Sequence, residues 1–426
     1  GRGGRRGTDT EWGNAERTST RTGDNRSNTN SRNNDSASGR GGRGGRGGRG
    51  ANSAPAKAPR ENGRGGQRGG RGGRGDSAGA KRSKPPPPLV FDDSSKGSDV
   101  FPTAGDREVT VEEQLTFERK GHVCIRGILR AEEASGMVSQ LIKETKARQL
   151  EAFKHRISVL CPGYDASHVR SPAEAMEVLD KHSDEEVGFL QTFNLHRGGS
   201  DRQRGEDASA DASAENGVGE SNAIDLAPPC AEYILSRRLA KVAAQLLGVD
   251  GKKEQERVRL YQSCVFSKPA GFGETHWHSD ANMVPLDTNR FVTLWLPLRP
   301  LHDDDAALVF ASGSHRDFSL PYWHSLDGMA DLSGREYEVE SYDPLDLGDA
   351  TAHAGWCLHW SPPQPVDCPP RYALSVCYFV DGARRLVAAD CRKSPEIEDE
   401  WSYRGWLGDI GEGQPARHPA LPVVYP

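Results

Sequence analysis

A histidine and an aspartate stand two positions apart in the segment THWHSD, residues 275–280. The segment is predicted to be a β-strand, and alternate side chains of a strand leave the same face. His278 and Asp280 could therefore bind one metal ion together. An imidazole and a carboxylate leave most of a coordination sphere open, as in the 2-His-1-carboxylate sites of non-haem Fe(II) oxygenases. Because the pattern H-x-D is common by chance, this interpretation requires a third ligand.

Six downstream histidines are candidates for that third ligand, namely His302, His315, His324, His353, His359 and His418. Two of them fit the strand pattern best. His359 closes the apolar stretch GDATAHAGWCLHWS, residues 348–361, just before a proline-rich turn. Open metal sites are often built where a strand meets a loop. His353 lies six positions earlier, and strict alternation would place it on the same strand face. The spacing leaves both open and favours His359, while His276 is expected to border the site.

A lone arginine opens the apolar strand RYALSVCYFV, twelve residues after His359. Burying a guanidinium without a partner is costly. A dicarboxylate cosubstrate would be a suitable partner for Arg371, because the planar guanidinium binds a carboxylate through two parallel hydrogen bonds. The alternative is a surface arginine at a strand edge. Lys268, which precedes Pro269, either approaches the same site or is a solvated lysine.

Short strands dominate the second half of the chain. The pattern predicts a helix end and a turn at Gly121, and helices over 131–153 and 231–247, the second stopped by Gly248. Strands are predicted at 187–195, 257–267, 275–281, 290–298, 306–310, 350–360 and 371–380. Helices followed by closely spaced strands with Pro and Gly turns are typical of a β-sandwich or jelly roll with helices packed outside.

Charge and glycine content divide the 426 residues into two parts. Residues 1–90 contain 20 Lys and Arg against 7 Asp and Glu, and 23 of the 49 glycines, whereas residues 91–426 contain 35 basic and 54 acidic residues. Residues 1–90 have too few apolar side chains to offset chain entropy, so a disordered tail is predicted. Residues 91–426 suffice for one globular domain, with a disordered surface insertion predicted at 197–228.

The basic tail contains two RGG arrays, at 40–50 and 64–75. Arginines on a flexible chain can neutralise phosphates and stack on unpaired bases, so weak RNA binding is one expectation. Aromatic side chains would strengthen such stacking, but Trp12 is the only one before Phe91.

Cysteine use and hydropathy favour an intracellular protein. The eight cysteines include no C-x-x-C pair, which suits free thiols in a reducing compartment. No apolar run approaches the length of a membrane span, and no secretory signal is visible. We therefore expect a cytoplasmic protein without a membrane span. Organelle targeting stays open because the chain begins at Gly1 rather than Met, and the sequence does not indicate an oligomeric state.

Five segments occur in an order that resembles the phytanoyl-CoA dioxygenase (PhyH) family of Fe(II)/2-oxoglutarate-dependent oxygenases. They are HWHSD, LDTNRFVTLWLPLRPL, ALVFASGSH, GDATAHAGWCLH and RYALSVCYFVDGAR. The resemblance runs from about Phe117 to Pro426 and is strongest over 257–384. It implies a mainly β protein with flanking helices, folded as a double-stranded β-helix or jelly roll.

The resemblance also implies roles for individual residues. The implied Fe(II) ligands are His278, Asp280 and His359. Arg371 would anchor the 5-carboxylate of the cosubstrate 2-oxoglutarate, and Ser361 would hydrogen-bond the same carboxylate. Trp295, or the residue one position before or after it, would line the cosubstrate pocket. Gln364 stands where the family usually has asparagine, so no role is transferred to it.

The activity implied by the resemblance is that of a dioxygenase. With O2 and 2-oxoglutarate, and with ascorbate in support, it would hydroxylate a small-molecule or lipid-like substrate and release succinate and CO2. Relatives that halogenate replace the carboxylate ligand with a small residue, so Asp280 favours hydroxylation. No catalytic residue beyond the metal centre is expected.

Two other functions fit parts of the sequence. A cupin would use His276, His278 and a later glutamate, but no glutamate occurs in the dozen residues after His278. A non-catalytic jelly roll could instead serve as a scaffold for an RNA-binding RGG tail. The complete set of three ligands and an arginine favours the enzyme.

Overall fold

The computed structural model describes eight segments of the chain: 93–101, 106–197, 230–250, 256–303, 305–317, 337–387, 402–403 and 406–426. The RGG-rich tail, the boundary predicted at residue 90 and all but Arg197 of the predicted insertion lie outside the described residues. The described segments belong to one unit of the chain, Pro85–Pro426.

The described strands form two antiparallel sheets. The larger sheet has the order β1-β8-β5-β10-β3-β11, with β2 paired to β3, and the smaller has the order β4-β9-β6-β7. The strands are β1 His122–Ile125, β2 Leu190–Phe193, β3 Val258–Lys268, β4 Thr275–His278, β5 Phe291–Pro297, β6 Val309–Ala311, β7 Val339–Ser341, β8 Ala350–Ala354, β9 His359–Ser361, β10 Arg371–Val380 and β11 Val423–Tyr425. This arrangement confirms the predicted jelly roll.

Helices flank the larger sheet. They are α1 Val111–Lys120, α2 Ala131–Ala147, α3 Gln149–Leu160, α4 Pro172–His182, α5 Ala231–Ile234, α6 Arg237–Leu246 and α7 Trp406–Asp409. Leu239 and Val242 of α6 pack in one core with Leu294 of β5 and Val376 of β10. Because strand side chains alternate, the next residues on β5 and β10, Thr293 and Cys377 among them, face the opposite, inner side of the sheet.

Both long helices of the sequence prediction are split in the structure. Arg148 separates α2 from α3, and α3 continues to Leu160. Ser236 separates α5 from α6, because its side chain accepts a hydrogen bond from the Leu239 amide and so caps α6. Gly248 ends this region with φ of 68°, a left-handed conformation that glycine adopts without strain.

The strand predicted over 350–360 is also two elements. β8 pairs with β1 and β5 in the larger sheet, whereas β9 pairs with β4 and β6 in the smaller one. Gly355 lies at the crossing between them, where the Cβ of another residue would lie 3.1 Å from Ala281 Cβ. His353 and His359 therefore stand on facing sheets, so the prediction that alternation could place both on one strand face is wrong.

Candidate metal centre

The smaller sheet brings His278 and His359 together. These residues are directly opposite each other in the β4–β9 pair, and their ring centroids are 4.2 Å apart. Neighbouring antiparallel strands place opposite side chains in contact. The pairing therefore makes neighbours of two histidines that lie far apart in the sequence.

Asp280 lies beside these two histidines, but it is not part of the strand that carries His278. The strand ends at His278, and Asp280 begins the 3-10 turn Asp280–Asn282, so the prediction that both residues share a strand face is wrong. The Ala281 amide donates to the Gly355 carbonyl at 2.8 Å, which ties the turn to the loop after β8. The close approach of Gly355 makes this contact possible.

One donor atom from each of His278, Asp280 and His359 lies within 4.8 Å of the others. The Nδ1 atom of His278 is 2.7 Å from the His276 carbonyl, and that of His359 is 3.1 Å from the Cys357 carbonyl. A carbonyl can only accept, so Nδ1 carries the proton in both rings. In the neutral rings Nε2 then offers a lone pair, the form in which histidine binds metals.

The two oxygens of Asp280 have different surroundings. Oδ2 accepts hydrogen bonds from the Thr293 hydroxyl at 2.5 Å and from His353 Nε2 at 3.1 Å. Oδ1 lies 3.8 Å from His359 Nε2. Since Oδ1 and a neutral Nε2 are both electron-pair donors, they repel unless a cation lies between them. The donor set of two imidazoles and one carboxylate fits Fe(II).

Burial and charge act against each other at the centre. Burial alone would raise the pKa of Asp280, but the hydrogen bond from His353 and the fields of the three surrounding histidines lower that pKa below its usual range. Burial, together with His278 and His353, lowers the pKa of His359 well below its usual value. Asp280 is therefore ionised and His359 neutral, as metal binding requires.

A second group of polar residues lies next to the metal ligands, because Ser361 is two residues after His359. Arg371 is buried, and its Nη1 donates to the Ala306 carbonyl at 2.6 Å and to the Ser361 hydroxyl at 3.3 Å. Its guanidinium carbon lies 5.4 Å from the centroid of the Trp295 ring. The structure thus brings together Arg371, Ser361 and Trp295, the three residues that the resemblance assigned to the cosubstrate. The Nε atom of Arg371 is buried without a hydrogen-bond partner.

Lys268 lies beside Arg371 in the β3–β10 pair. It is fully buried, and its Nζ lies 2.8 Å from the Pro362 carbonyl and 3.3 Å from the Ser361 hydroxyl. The solvated alternative for Lys268 is therefore wrong. Burial and the charge of Arg371 lower the pKa of Lys268 to about 6, and burial lowers that of Arg371 to about 10. Within the described residues, neither side chain forms an ion pair.

Three further residues lie around the two groups of site residues. His276 is exposed and pairs with Glu274 at 3.0 Å. Gln364 is buried and contacts Asp305 and the Pro369 carbonyl, so it holds the loop whose Ala306 carbonyl meets Arg371. Sequence reasoning missed Thr293, although it shares a strand face with Trp295 and alternation could have placed it at the site.

Two histidines and one carboxylate at a single point form the ligand set that suits non-haem iron oxygenases. The model of the phytanoyl-CoA dioxygenase (PhyH) family matches residues 117–365. The chain therefore belongs to this family of 2-oxoglutarate-dependent non-haem iron oxygenases, which confirms the resemblance. A comparison with curated proteins finds no significant match.

Several solved structures resemble the chain in part. The α-ketoglutarate-dependent carbocyclase SnoK of nogalamycin biosynthesis is 15% identical, with 74% of this chain and 96% of SnoK covered and a TM-score of 0.47. EctD from S. alaskensis, with 2-oxoglutarate and 5-hydroxyectoine, is 17% identical, with 69% and 83% covered and a TM-score of 0.38. At these values nothing about the substrate of this chain follows from either structure.

No helix in the described part of the chain combines the length and the apolar character that a membrane crossing needs.

Proposed function

We propose that the protein is an Fe(II)/2-oxoglutarate-dependent dioxygenase that hydroxylates a small-molecule or lipid-like substrate. Its reaction would convert a substrate C–H bond, O2 and 2-oxoglutarate into a C–OH group, succinate and CO2. The observation that carries the proposal is the convergence of donor atoms of His278, Asp280 and His359 within 4.8 Å of one another. When bound there, Fe(II) would supply the activation of O2.

Asp280 would hold the metal through Oδ1. Oδ2 is already occupied by hydrogen bonds from Thr293 and His353. A single carboxylate oxygen and two imidazoles use three positions, which leaves room for a chelating cosubstrate and O2. His353 is then a positioning residue for Asp280 rather than a ligand.

Arg371, Lys268 and Ser361 would bind the distal carboxylate of 2-oxoglutarate. The buried Arg371 guanidinium without a carboxylate partner is costly in the free protein. An incoming dianion would remove that cost and would favour the protonated form of Lys268. Ser361, two residues after His359, places this anion site next to the metal ligands. The ring of Trp295 closes one side and excludes water, which strengthens each charged interaction.

The first test measures succinate formation by the full chain with Fe(II), 2-oxoglutarate and ascorbate. We expect slow turnover without added substrate, loss of that turnover in Asp280→Gly, and retention in His276→Ala, which changes an exposed neighbour. Anaerobic titration of the Fe(II) protein with 2-oxoglutarate should produce a visible charge-transfer band. Full activity in Asp280→Gly would show that the metal site is wrong.

A further inference from the structure

One half of the larger sheet offers a polar and aromatic surface on its inner side. Lys268 reaches Ser361 across the sheets, so its side of β3 is the inner side. By alternation Phe266 and Gln262 lie on that side, and Gln191 of β2 lies opposite Phe266. These three side chains are partly exposed although their neighbours Val265 and Leu260 are buried. Neither glutamine side chain forms a hydrogen bond with a described residue.

This surface begins close to the metal centre. Thr293, Cys377 and Gln262 lie opposite one another on β5, β10 and β3. Adjacent strands are about 4.8 Å apart, so Gln262 lies on the order of 10 Å from the hydroxyl that contacts Asp280. A small molecule resting on this surface could therefore present a C–H bond to the centre.

At the far side of this surface, α3 places an arginine against an aromatic ring. The guanidinium carbon of Arg156 lies 4.8 Å from the centroid of Phe189, and that ring packs edge-on against Phe266 at 5.5 Å. The Gly273 amide donates to the Val187 carbonyl, which keeps the segment before β2 against the loop that leads to β4. Arg156 thus stands at the rim of the surface.

Arg156 lacks an acidic partner among the described residues. Its Nε is buried without a hydrogen bond. The charge of the exposed Glu185 acts on Arg156, but the two form no ion pair. Contact with Phe189 offsets only part of the cost of removing a guanidinium from water. The arrangement leaves the donors of Arg156 available to an anion.

We propose that this surface is the substrate site and that Arg156 determines specificity by binding an anionic group of the substrate, a carboxylate or a phosphate. Phe189 and Phe266 contact the apolar or aromatic part next to that group, and Gln191 and Gln262 orient its polar atoms. The inference rests on the proposed function, because the metal centre makes this surface a place for substrate.

The experiment uses the full chain loaded with Mn(II) and N-oxalylglycine, a 2-oxoglutarate analogue that occupies the cosubstrate site. Calorimetric titration then compares 3-phenylpropionate and phenyl phosphate with neutral 3-phenylpropanamide and cationic 3-phenylpropylamine. One charge-assisted hydrogen bond corresponds to about a tenfold or larger difference in Kd. We expect the anionic probes to bind at least tenfold more tightly than the amide. The anion that binds more tightly identifies the recognised group as a carboxylate or a phosphate.

Variants of Arg156 test whether its charge recognises the anion or whether the side chain only supports the fold. Arg156→Gln should remove the preference for anions without changing amide binding, and Arg156→Glu should reverse it in favour of 3-phenylpropylamine. Arg119→Gln, at an exposed arginine of α1, should behave as the wild type. A preference that persists in Arg156→Gln, or anions that bind no more tightly than the amide to the wild type, would overturn the proposal.

The same titrations distinguish the two levels of inference. Failure of N-oxalylglycine to bind would contradict the proposed function itself. If N-oxalylglycine binds but the affinity for the probes does not depend on their charge, only the proposed role of Arg156 is contradicted.

Discussion

Asp280 shows how a single side chain can be divided between two tasks. Its Oδ1 faces His359, and its Oδ2 is held by Thr293 and His353. Partners that hold a metal ligand fix its orientation, and their loss typically weakens metal binding by about 10- to 100-fold. The carboxylate position is therefore set by residues on two neighbouring strands of the larger sheet.

Thr293→Val should weaken metal binding by about tenfold, because it removes the hydroxyl donor with little change of volume. Titration with Mn(II) or Co(II) measures the affinity directly. Thr293→Ser keeps the hydroxyl and should stay near the wild-type value. Equal affinities in the valine and serine variants would mean that Thr293 does not position Asp280.

The affinity for 2-oxoglutarate should fall as pH rises from about 6 to about 8. Burial and Arg371 lower the pKa of Lys268 to about 6, so the free protein loses the Lys268 proton in this range. The bound dianion favours the ammonium form, so binding takes up a proton and weakens by at most about tenfold per pH unit. Calorimetry in buffers of different ionisation enthalpy would measure the proton uptake.

Lys268→Met is the matched variant for this pH dependence. It cannot be protonated, so binding of 2-oxoglutarate should be weaker at pH 6 and nearly independent of pH. A wild-type protein whose affinity does not change between pH 6 and 8 would contradict the role of Lys268.

At the scale of elements, the turns around β8 and β9 determine where the third ligand stands. The Ser314 hydroxyl accepts a hydrogen bond from the Leu358 amide at 2.8 Å, which holds the chain just before His359. The Asp349 carboxylate accepts from the Gly127 amide at 2.8 Å and from Arg126 at 2.9 Å, which fixes the start of β8. The segments GSH at 313–315 and GD at 348–349 are therefore structural supports of the site.

Gly348→Ala should destabilise the fold by about 2 kcal/mol or more. Gly348 has φ of 95°, and a Cβ there would lie 2.1 Å from the Leu129 carbonyl oxygen, so the new side chain meets both backbone strain and overlap. Thermal or urea unfolding measures the loss. Gly408→Ala is the control, since nothing lies within 4 Å of its Cβ position, and comparable losses in both variants would contradict this account.

At the scale of the whole molecule, the site depends on parts of the chain beyond the matched family segment. Arg371 lies after residue 365, where the family match ends. Tyr403 donates to the Met283 carbonyl at 2.9 Å and so supports the end of the Asp280 turn. All residues of the proposed metal and cosubstrate sites lie within the unit Pro85–Pro426.

Removal of residues 1–84 should leave the affinities for Mn(II) and N-oxalylglycine unchanged. The RGG arrays carry the expectation of weak RNA binding, which should weaken strongly with salt and disappear in the truncated chain. Paired titrations with the metal, the analogue and a single-stranded RNA test both statements. Loss of N-oxalylglycine binding on truncation would show that the tail contributes to the site.

The sequence by itself determined the fold class, the family and the set of residue types at the site. Period-two patterns and turn residues are local, so they located β3, β5 and β10 within a residue or two. The motif order singled out His278, Asp280, His359 and Arg371, whose roles in binding remain predictions.

Only the tertiary structure decided which polar groups meet. His353 and His359 lie in two different sheets. The chain turns after His278, and this turn places Asp280 beside the histidines. Lys268 is buried next to Arg371. The tertiary structure also set the hydroxyl of Thr293 against Asp280. These contacts depend on strand pairing between distant segments, and a local pattern carries no information about the register of such pairs.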